Sequence, residues 1–141
     1  MMAAGAFGQY IDIQIQDDLN CDITIKNAHI SSGQFYTHGN RRDVVSPSDV
    51  DDLTIRHNGG RRNIYACGEL GSISETRGMF DLYDDKRATR ICTLYWSASV
   101  EPERRNEILK FNHDVRYDVG IGNWNESGTM GMIQVTIKEQ A

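Results

Sequence analysis

The chain has 141 residues, with 15 lysines and arginines against 20 aspartates and glutamates, for a net charge of −5. That length suits one compact domain over residues 1–141, large enough to bury a core without metal or disulfide staples. The acidic balance argues against nucleic acid as the main partner, because such binding rests on a basic surface that neutralises phosphates.

Residues 1–8 are short and rich in small side chains, with no basic region followed by an apolar one, so no secretory signal is read there. The expectation is a soluble protein that is released or secreted by another route and acts at a target-cell membrane. Tyr10–Gln16 alternates apolar and polar, with Ile11, Ile13 and Ile15 on one face, which marks a half-buried strand. Asp17–Asn20 has turn chemistry and Cys21–Lys26 alternates again, so the two segments predict an N-terminal hairpin. Further strands are expected at Ser32–His38, Arg62–Cys67, Arg77–Tyr83, Thr89–Trp96, Asp114–Ile121 and Met132–Lys138. Turn clusters separate them at His38–Asn40, Ser46–Asp49, His57–Gly60, Asp84–Asp85 and Glu126–Gly128. Glu101–Leu109 is the best place for a helical turn, since Pro102 suits a first-turn position, though a charged loop fits equally. Short strands at close spacing with 13 glycines indicate an all-β fold, a single-domain sandwich or barrel of mostly antiparallel strands.

The chemistry-bearing motifs are sparse. There is no G-x-S-x-G elbow and no Walker A run. Gly120-Ile121-Gly122 begins like a dinucleotide fingerprint but lacks the third glycine, where Asn125 stands, and opens no helix. Cys21, Cys67 and Cys92 are widely spaced, the four histidines are scattered, and Asp49, Asp51 and Asp52 lack the glycine and terminal glutamate of a calcium loop. Neither a cofactor nor a metal site is read from the chain, and no enzyme activity is expected. Arginines outnumber lysines eleven to four and pair at Arg41-Arg42, Arg61-Arg62 and Arg104-Arg105. Each pair reads first as solvated turn residues, and as a phosphate- or carboxylate-binding surface only where pairs converge. Tyr95-Trp96 and Asn123-Trp124-Asn125 put the only two tryptophans beside strand ends, with Phe7 to Tyr10 and Phe35-Tyr36 supplying further rings. Each tryptophan reads either as core or as an amphipathic anchor at a lipid headgroup boundary, and ring faces also attract quaternary ammonium groups.

Three motifs carry a family resemblance. The first is Ala66-Cys67-Gly68, Thr76, then Gly78-x-Phe80-Asp81-Leu82-Tyr83-Asp84; the second is Leu94-Tyr95-Trp96. The third is Ile121-Gly122-Asn123-Trp124-Asn125-x-x-Gly128-x-x-Gly131, and the N-terminal half adds Ile25–Ala28, Gly33-Gln34-Phe35, Gly39, Ser46 and Val50. In order and spacing the chain resembles the aegerolysins over nearly its whole length, and most resembles bacterial members that form half of a two-component insecticidal pore-forming toxin. The resemblance implies a small β-sandwich that binds membrane lipid, often a sphingolipid with a sterol or a phosphoethanolamine headgroup. It further implies a larger partner resembling the membrane-attack-complex/perforin proteins, which supplies the pore. A homo-oligomer is compatible with it.

The chain also departs from the family pattern. After its Tyr-Trp pair the family usually has Asp-Cys-Pro-Trp-Gly-Ser-Lys, where this chain has Ser97-Ala98-Ser99-Val100-Glu101-Pro102-Glu103, and a family glutamate falls at Ser74, beside Glu75. The ordinary headgroup site is thus altered, and a different lipid, a glycan or a protein receptor is the alternative target. The candidate lipid- or receptor-binding residues are Tyr95, Trp96 and Trp124, with Glu75, Arg104 and Arg105 secondary. Gly68, Gly78, Gly122 and Gly131 are read as backbone devices that permit turns and bulges.

Overall fold

The computed structural model describes residues 8–69 and 71–141. The reading of residues 1–7, and the ring of Phe7, lie outside the described residues. Two sheets pack face to face. The first runs in the order β10-β11-β1-β6-β3-β4, from β1 (Tyr10–Asp17), β3 (Gln34–Thr37), β4 (Asn40–Val45), β6 (Gly60–Cys67), β10 (Tyr117–Ile121) and β11 (Gly131–Glu139). The second runs β5-β2-β7-β8-β9, from β2 (Ile23–Ser32), β5 (Thr54–Ile55), β7 (Thr76–Asp84), β8 (Thr89–Ala98) and β9 (Glu107–Phe111). All pairings are antiparallel except β1 with β11, which join the two ends of the chain in parallel. The fold is the expected all-β sandwich.

Strict alternation builds the core. Ile13 pairs with Ile133 on one side and Ile64 on the other, so three strands set a continuous branched row facing inward. From the opposite sheet come Ile23, Ile25, Phe80, Leu82, Leu94 and Trp96, all buried. β-branched side chains fit this pleated, half-buried surface. Burying each contributes about 1.5–3 kcal/mol relative to exposure.

The N-terminal hairpin does not form. Both edges of β1 are occupied, by β6 and β11, and β2 pairs with β5 and β7 in the other sheet. The residues between them do not make a solvated turn: Asp17 and Leu19 are buried, and the Asp17 carboxylate accepts the Leu19 N–H at 2.8 Å. Leu19 is a core plug at the crossover, which commits the chain to change sheets. The helical turn is also displaced. Glu101–Arg104 forms a loop turn, closed by Arg104 N–H to the Glu101 carbonyl at 3.1 Å, and Glu107–Phe111 is strand β9. The one helix among the described residues, α1 (Pro47–Val50), falls on a segment read as a turn; Ser46 caps it and Pro47 occupies its first turn.

The glycine of the central motif has a steric reason. Gly78 pairs with Trp96 across β7 and β8, and a Cβ there would lie 2.6 Å from Trp96 Cζ2 and 2.7 Å from the His29 carbonyl oxygen. The indole fills the space that a side chain at position 78 would need, and its N–H donates to Thr76 Oγ1 at 3.2 Å. Phe35 and Phe80 pack on the ring at centroid distances of 5.8 and 6.0 Å.

Candidate functional site

One end of the sandwich gathers the loops that join β6 to β7, β8 to β9 and β10 to β11. Gln9, just ahead of β1 and wholly buried, ties them together. Its Nε2 donates to the carbonyls of Ser99 (2.7 Å) and Gly128 (2.6 Å) and to Asn106 Oδ1 (3.2 Å), and its Oε1 accepts the Met130 N–H (2.9 Å). Its backbone bonds to Ser74 and Gly68 of the β6–β7 loop. Asn106, also buried, extends the network: its Nδ2 donates to the carbonyls of Asn125 and Gly128, and its Oδ1 accepts the Ser99 N–H. Buried amides that are fully bonded give rigid loops, because an unmade bond there costs about 1–3 kcal/mol.

Most of the predicted site residues collect at this end. Trp124 is half-buried, and its indole N–H donates to the Asn106 carbonyl at 3.0 Å. Arg104 and Arg105 are exposed on the β8–β9 loop, where Arg105 pairs with Glu126 of the β10–β11 loop. Glu75 ends the β6–β7 loop and bonds Arg77 at 2.9 Å. Tyr95 lies elsewhere, mid-strand on the outer face of the second sheet. Trp96 requires correction: with no exposed surface and its N–H bonded inside, it is a core residue and not a surface contact. The sequence reading also passed over Gln9 and Asn106, whose polar side chains gave no sign of burial.

Two surface features stand out. On the outer face of β7, β8 and β9, Met79, Tyr95 and Leu109 pair in register, and Phe111 packs edge-on against Tyr95 at 6.1 Å. Met79, Leu109 and Phe111 are 38%, 41% and 49% exposed, so the row is an apolar strip at a sheet edge. The second feature is a cleft of about 380 Å³ between the start of β1 and the β10–β11 loop, lined by Tyr10 and by residues 123–125 and 129–132.

The ionisable groups do not assemble a reactive centre. Burial pushes the Cys92 thiol up to about 12, and burial with the Asp84 carboxylate nearby pushes Cys21 up to about 11, so neither offers a thiolate near neutral pH. Among the described residues no group of histidines, cysteines and carboxylates could hold a metal ion, and no helix is long and apolar enough to cross a membrane. The perturbed carboxylates, Asp17 and Asp84, lie at the opposite end of the sandwich and serve its structure. Burial raises Asp17 to about 7, while at Asp84 burial is outweighed by bonds from Tyr117, the Lys86 and Arg87 N–H groups and Cys21, which hold it below its ordinary value.

Comparison with known proteins agrees with this architecture. Asp-hemolysin of Aspergillus fumigatus is 28% identical over 139 residues, covering 97% of each chain. Among solved structures, the RahU protein in complex with a Tris molecule superposes with a TM-score of 0.85 at 24% identity, over 96% of this chain and 98% of that one. IP-1A from Alcaligenes faecalis superposes with a TM-score of 0.81 at 25% identity, over 96% and 94%. The aegerolysin family model matches residues 8–140. The chain therefore belongs to the aegerolysins, a family of hemolysin-like, lipid-binding proteins.

Proposed function

We propose that this protein is the non-enzymatic, membrane-docking component of a binary pore-forming toxin, cytolytic and insecticidal, which engages a target-cell lipid and recruits a larger perforin-like partner. The observation that carries the docking half is the exposed Met79–Tyr95–Leu109–Phe111 strip on a rigid sheet edge. An aromatic and aliphatic surface of this kind gains by leaving water for the headgroup boundary, and a tyrosine keeps its hydroxyl in the polar layer. Family membership supports lipid as the target. The pore-forming half rests on the resemblance to two-component toxins, since this chain's own strands are committed to a closed core. The protein acts after release, from solution, at the target-cell membrane.

Sedimentation with vesicles tests the reading, using sphingolipid, phosphoethanolamine-headgroup and sterol-containing compositions and membranes of insect gut, each with and without the partner protein. Binding to at least one composition, with leakage only when the partner is added, is the expected result. No binding to any vesicle or target-cell membrane, even with the partner, overturns it. Binding to cells that protease abolishes and lipid competition leaves untouched would favour a protein receptor instead.

A further inference from the structure

The cleft beside Trp124 has a composition unlike the rest of this acidic surface. No aspartate, glutamate, lysine, arginine or histidine lines it. Its polar groups divide into those already used and those left over. The Trp124 N–H is spent on the Asn106 carbonyl and Asn125 Nδ2 on the Thr129 carbonyl, each at 3.0 Å. Among the described residues, no hydrogen bond occupies the Tyr10 hydroxyl, the Asn123 amide or the Thr129 hydroxyl. The walls are held from behind, because Met130 N–H is bonded to the buried Gln9 side chain and Asn106 fixes the Trp124 indole. The floor is held open at Gly131, whose φ of +69° suits glycine and whose missing Cβ would stand 3.7 Å from the Tyr10 hydroxyl. The site is thus rigid and carries unspent neutral groups.

This chemistry selects among ligands. A phosphate or carboxylate calls for a guanidinium, an ammonium or a set of N–H donors, and would be costly to desolvate without them. The nearby Arg105 does not supply that charge, since Glu126 already pairs with it. An ammonium calls for a carboxylate or a cage of ring faces, and here there are two rings, Tyr10 and Trp124, with no acid. A hydroxyl both donates and accepts, as do the amide of Asn123 and the hydroxyls of Tyr10 and Thr129. The C–H face of a sugar ring is apolar and matches an aromatic face such as Trp124 or the thioether of Met132. At about 380 Å³ the cleft lies toward the small end of the usual range for small-molecule sites, roughly 300–1,000 Å³, which suits a terminal sugar and not an extended chain.

We propose that this cleft binds a neutral glycosyl group, presented either as a glycolipid headgroup or as a cell-surface glycan. Its use at a bilayer rests on the membrane-docking reading above; its ligand chemistry does not. Two sites then divide the work: the Tyr95 strip supplies apolar area, and the Trp124 cleft supplies selectivity. Selectivity of this kind comes from polar groups that are left unpaired when the wrong ligand binds.

The test has two arms. In the first, neutral monosaccharides and disaccharides are titrated into the intact protein while the Trp124 indole N–H resonance is followed; the Trp96 resonance serves as the internal control. In the second, sedimentation compares phosphatidylcholine vesicles containing a monohexosylceramide with vesicles containing ceramide alone or an anionic phospholipid. Saturable movement of the Trp124 signal with at least one sugar is expected. The variants Asn123→Ala, which removes one exposed amide, and Tyr10→Phe, which removes one hydroxyl and keeps the ring, should each weaken it by about five- to tenfold. Hexosylceramide preference in the second arm identifies a glycolipid source, and sugar binding without vesicle preference identifies a glycan. The proposal is overturned if no sugar moves the Trp124 signal and hexosylceramide gives no advantage over ceramide, or if both variants bind as the parent does. Vesicle binding that persists without a sugar requirement would sink the cleft assignment and leave the docking reading standing.

Discussion

Gln9 and Asn106 lie 97 positions apart and meet inside the protein, with Gln9 Nε2 donating to Asn106 Oδ1 at 3.2 Å. This one contact connects the start of β1 to the loop before β9, and through their remaining bonds the two amides hold all three loops of the candidate site. Loop conformation at this end is therefore set from within the core and not by the loops' own turn chemistry.

Gln9→Ala tests that dependence. It strands the carbonyls of Ser99 and Gly128, the Asn106 Oδ1 and the Met130 N–H in a buried space. Unmade buried bonds of this type cost about 1–3 kcal/mol, and water entry recovers part of the loss, so the substitution should destabilise by about 2–4 kcal/mol. Urea unfolding measures it. A shift in midpoint below a few tenths of a kcal/mol would mean that the loops carry themselves.

Gly78→Ala should destabilise by about 1–3 kcal/mol, the usual cost of overpacking a core. Its Cβ meets backbone, the His29 carbonyl, as well as the Trp96 ring, so the ring cannot relieve both contacts by rotating. The expected signature in denaturant unfolding is lowered stability, together with a changed emission of the buried Trp96 relative to Trp124.

Much of the frame is legible in the residues themselves. Alternation in Tyr10–Asp17 and Gly131–Glu139 marks central strands because both are packed on one face. β4, β5 and β9 escaped notice for a physical reason: β4 and β9 are edge strands that bury few side chains, and β5 has two residues. Trp96 was readable in principle. It shares parity with Leu94, so one strand face takes both inward and leaves Tyr95 outside. Gln9 and Asn106 were not readable, since their partners are remote in sequence and a polar residue beside a turn looks solvated. The motif glycines marked the family, while the cleft is assembled from Tyr10 and from Asn123 to Met132, which meet only after the two chain ends pair.

Asp17 gives the protein a pH dependence of unusual sign. Its carboxyl is buried, one oxygen accepts the Leu19 N–H, and the other has no partner among the described residues. Burial raises its pKa from 3.8 to about 7, with Asp22 and Asp18 adding to the rise and the Leu19 N–H and His57 opposing it. The folded state thus retains a proton that the unfolded chain has lost, so stability falls as pH rises from about 4 to about 7 and is level above. The span is worth at most about 4 kcal/mol. Asp17→Asn removes this slope and should make the protein more stable than the parent at pH 8, with little difference at pH 4. Melting temperatures across that range check it, and parallel curves for the two proteins would refute it.

Asp84 acts in the opposite sense. Tyr117 donates its hydroxyl to Asp84 Oδ2 at 2.6 Å, and the Lys86 and Arg87 N–H groups serve Oδ1. The folded pKa is held below the unfolded one, so its contribution is present above pH 4 and is lost as pH falls through the folded value. Tyr117→Phe removes one charge-assisted bond and should cost about 1.5–3 kcal/mol at pH 7. The loss should narrow in acid, where the parent also forfeits the bond. A loss that stays constant with pH would assign the effect to packing of the ring instead.

The apolar strip yields the prediction that bears most directly on function. Leu109 and Phe111 are surface residues of an edge strand, and exposed substitutions away from special contacts change stability by about 0.5 kcal/mol or less. The double substitution Leu109→Ser with Phe111→Ser should therefore leave the melting temperature nearly unchanged. It removes two side chains whose burial in lipid is worth about 1.5–3 kcal/mol each when complete, so partial insertion predicts at least a tenfold loss of vesicle affinity. Trp124 separates the two sites: Asn123→Ala should alter which headgroups are bound and leave the apolar contribution intact. If the double variant sediments with vesicles as the parent does, the strip is not the docking face, and the loop end that Gln9 and Asn106 hold together must carry membrane contact by itself.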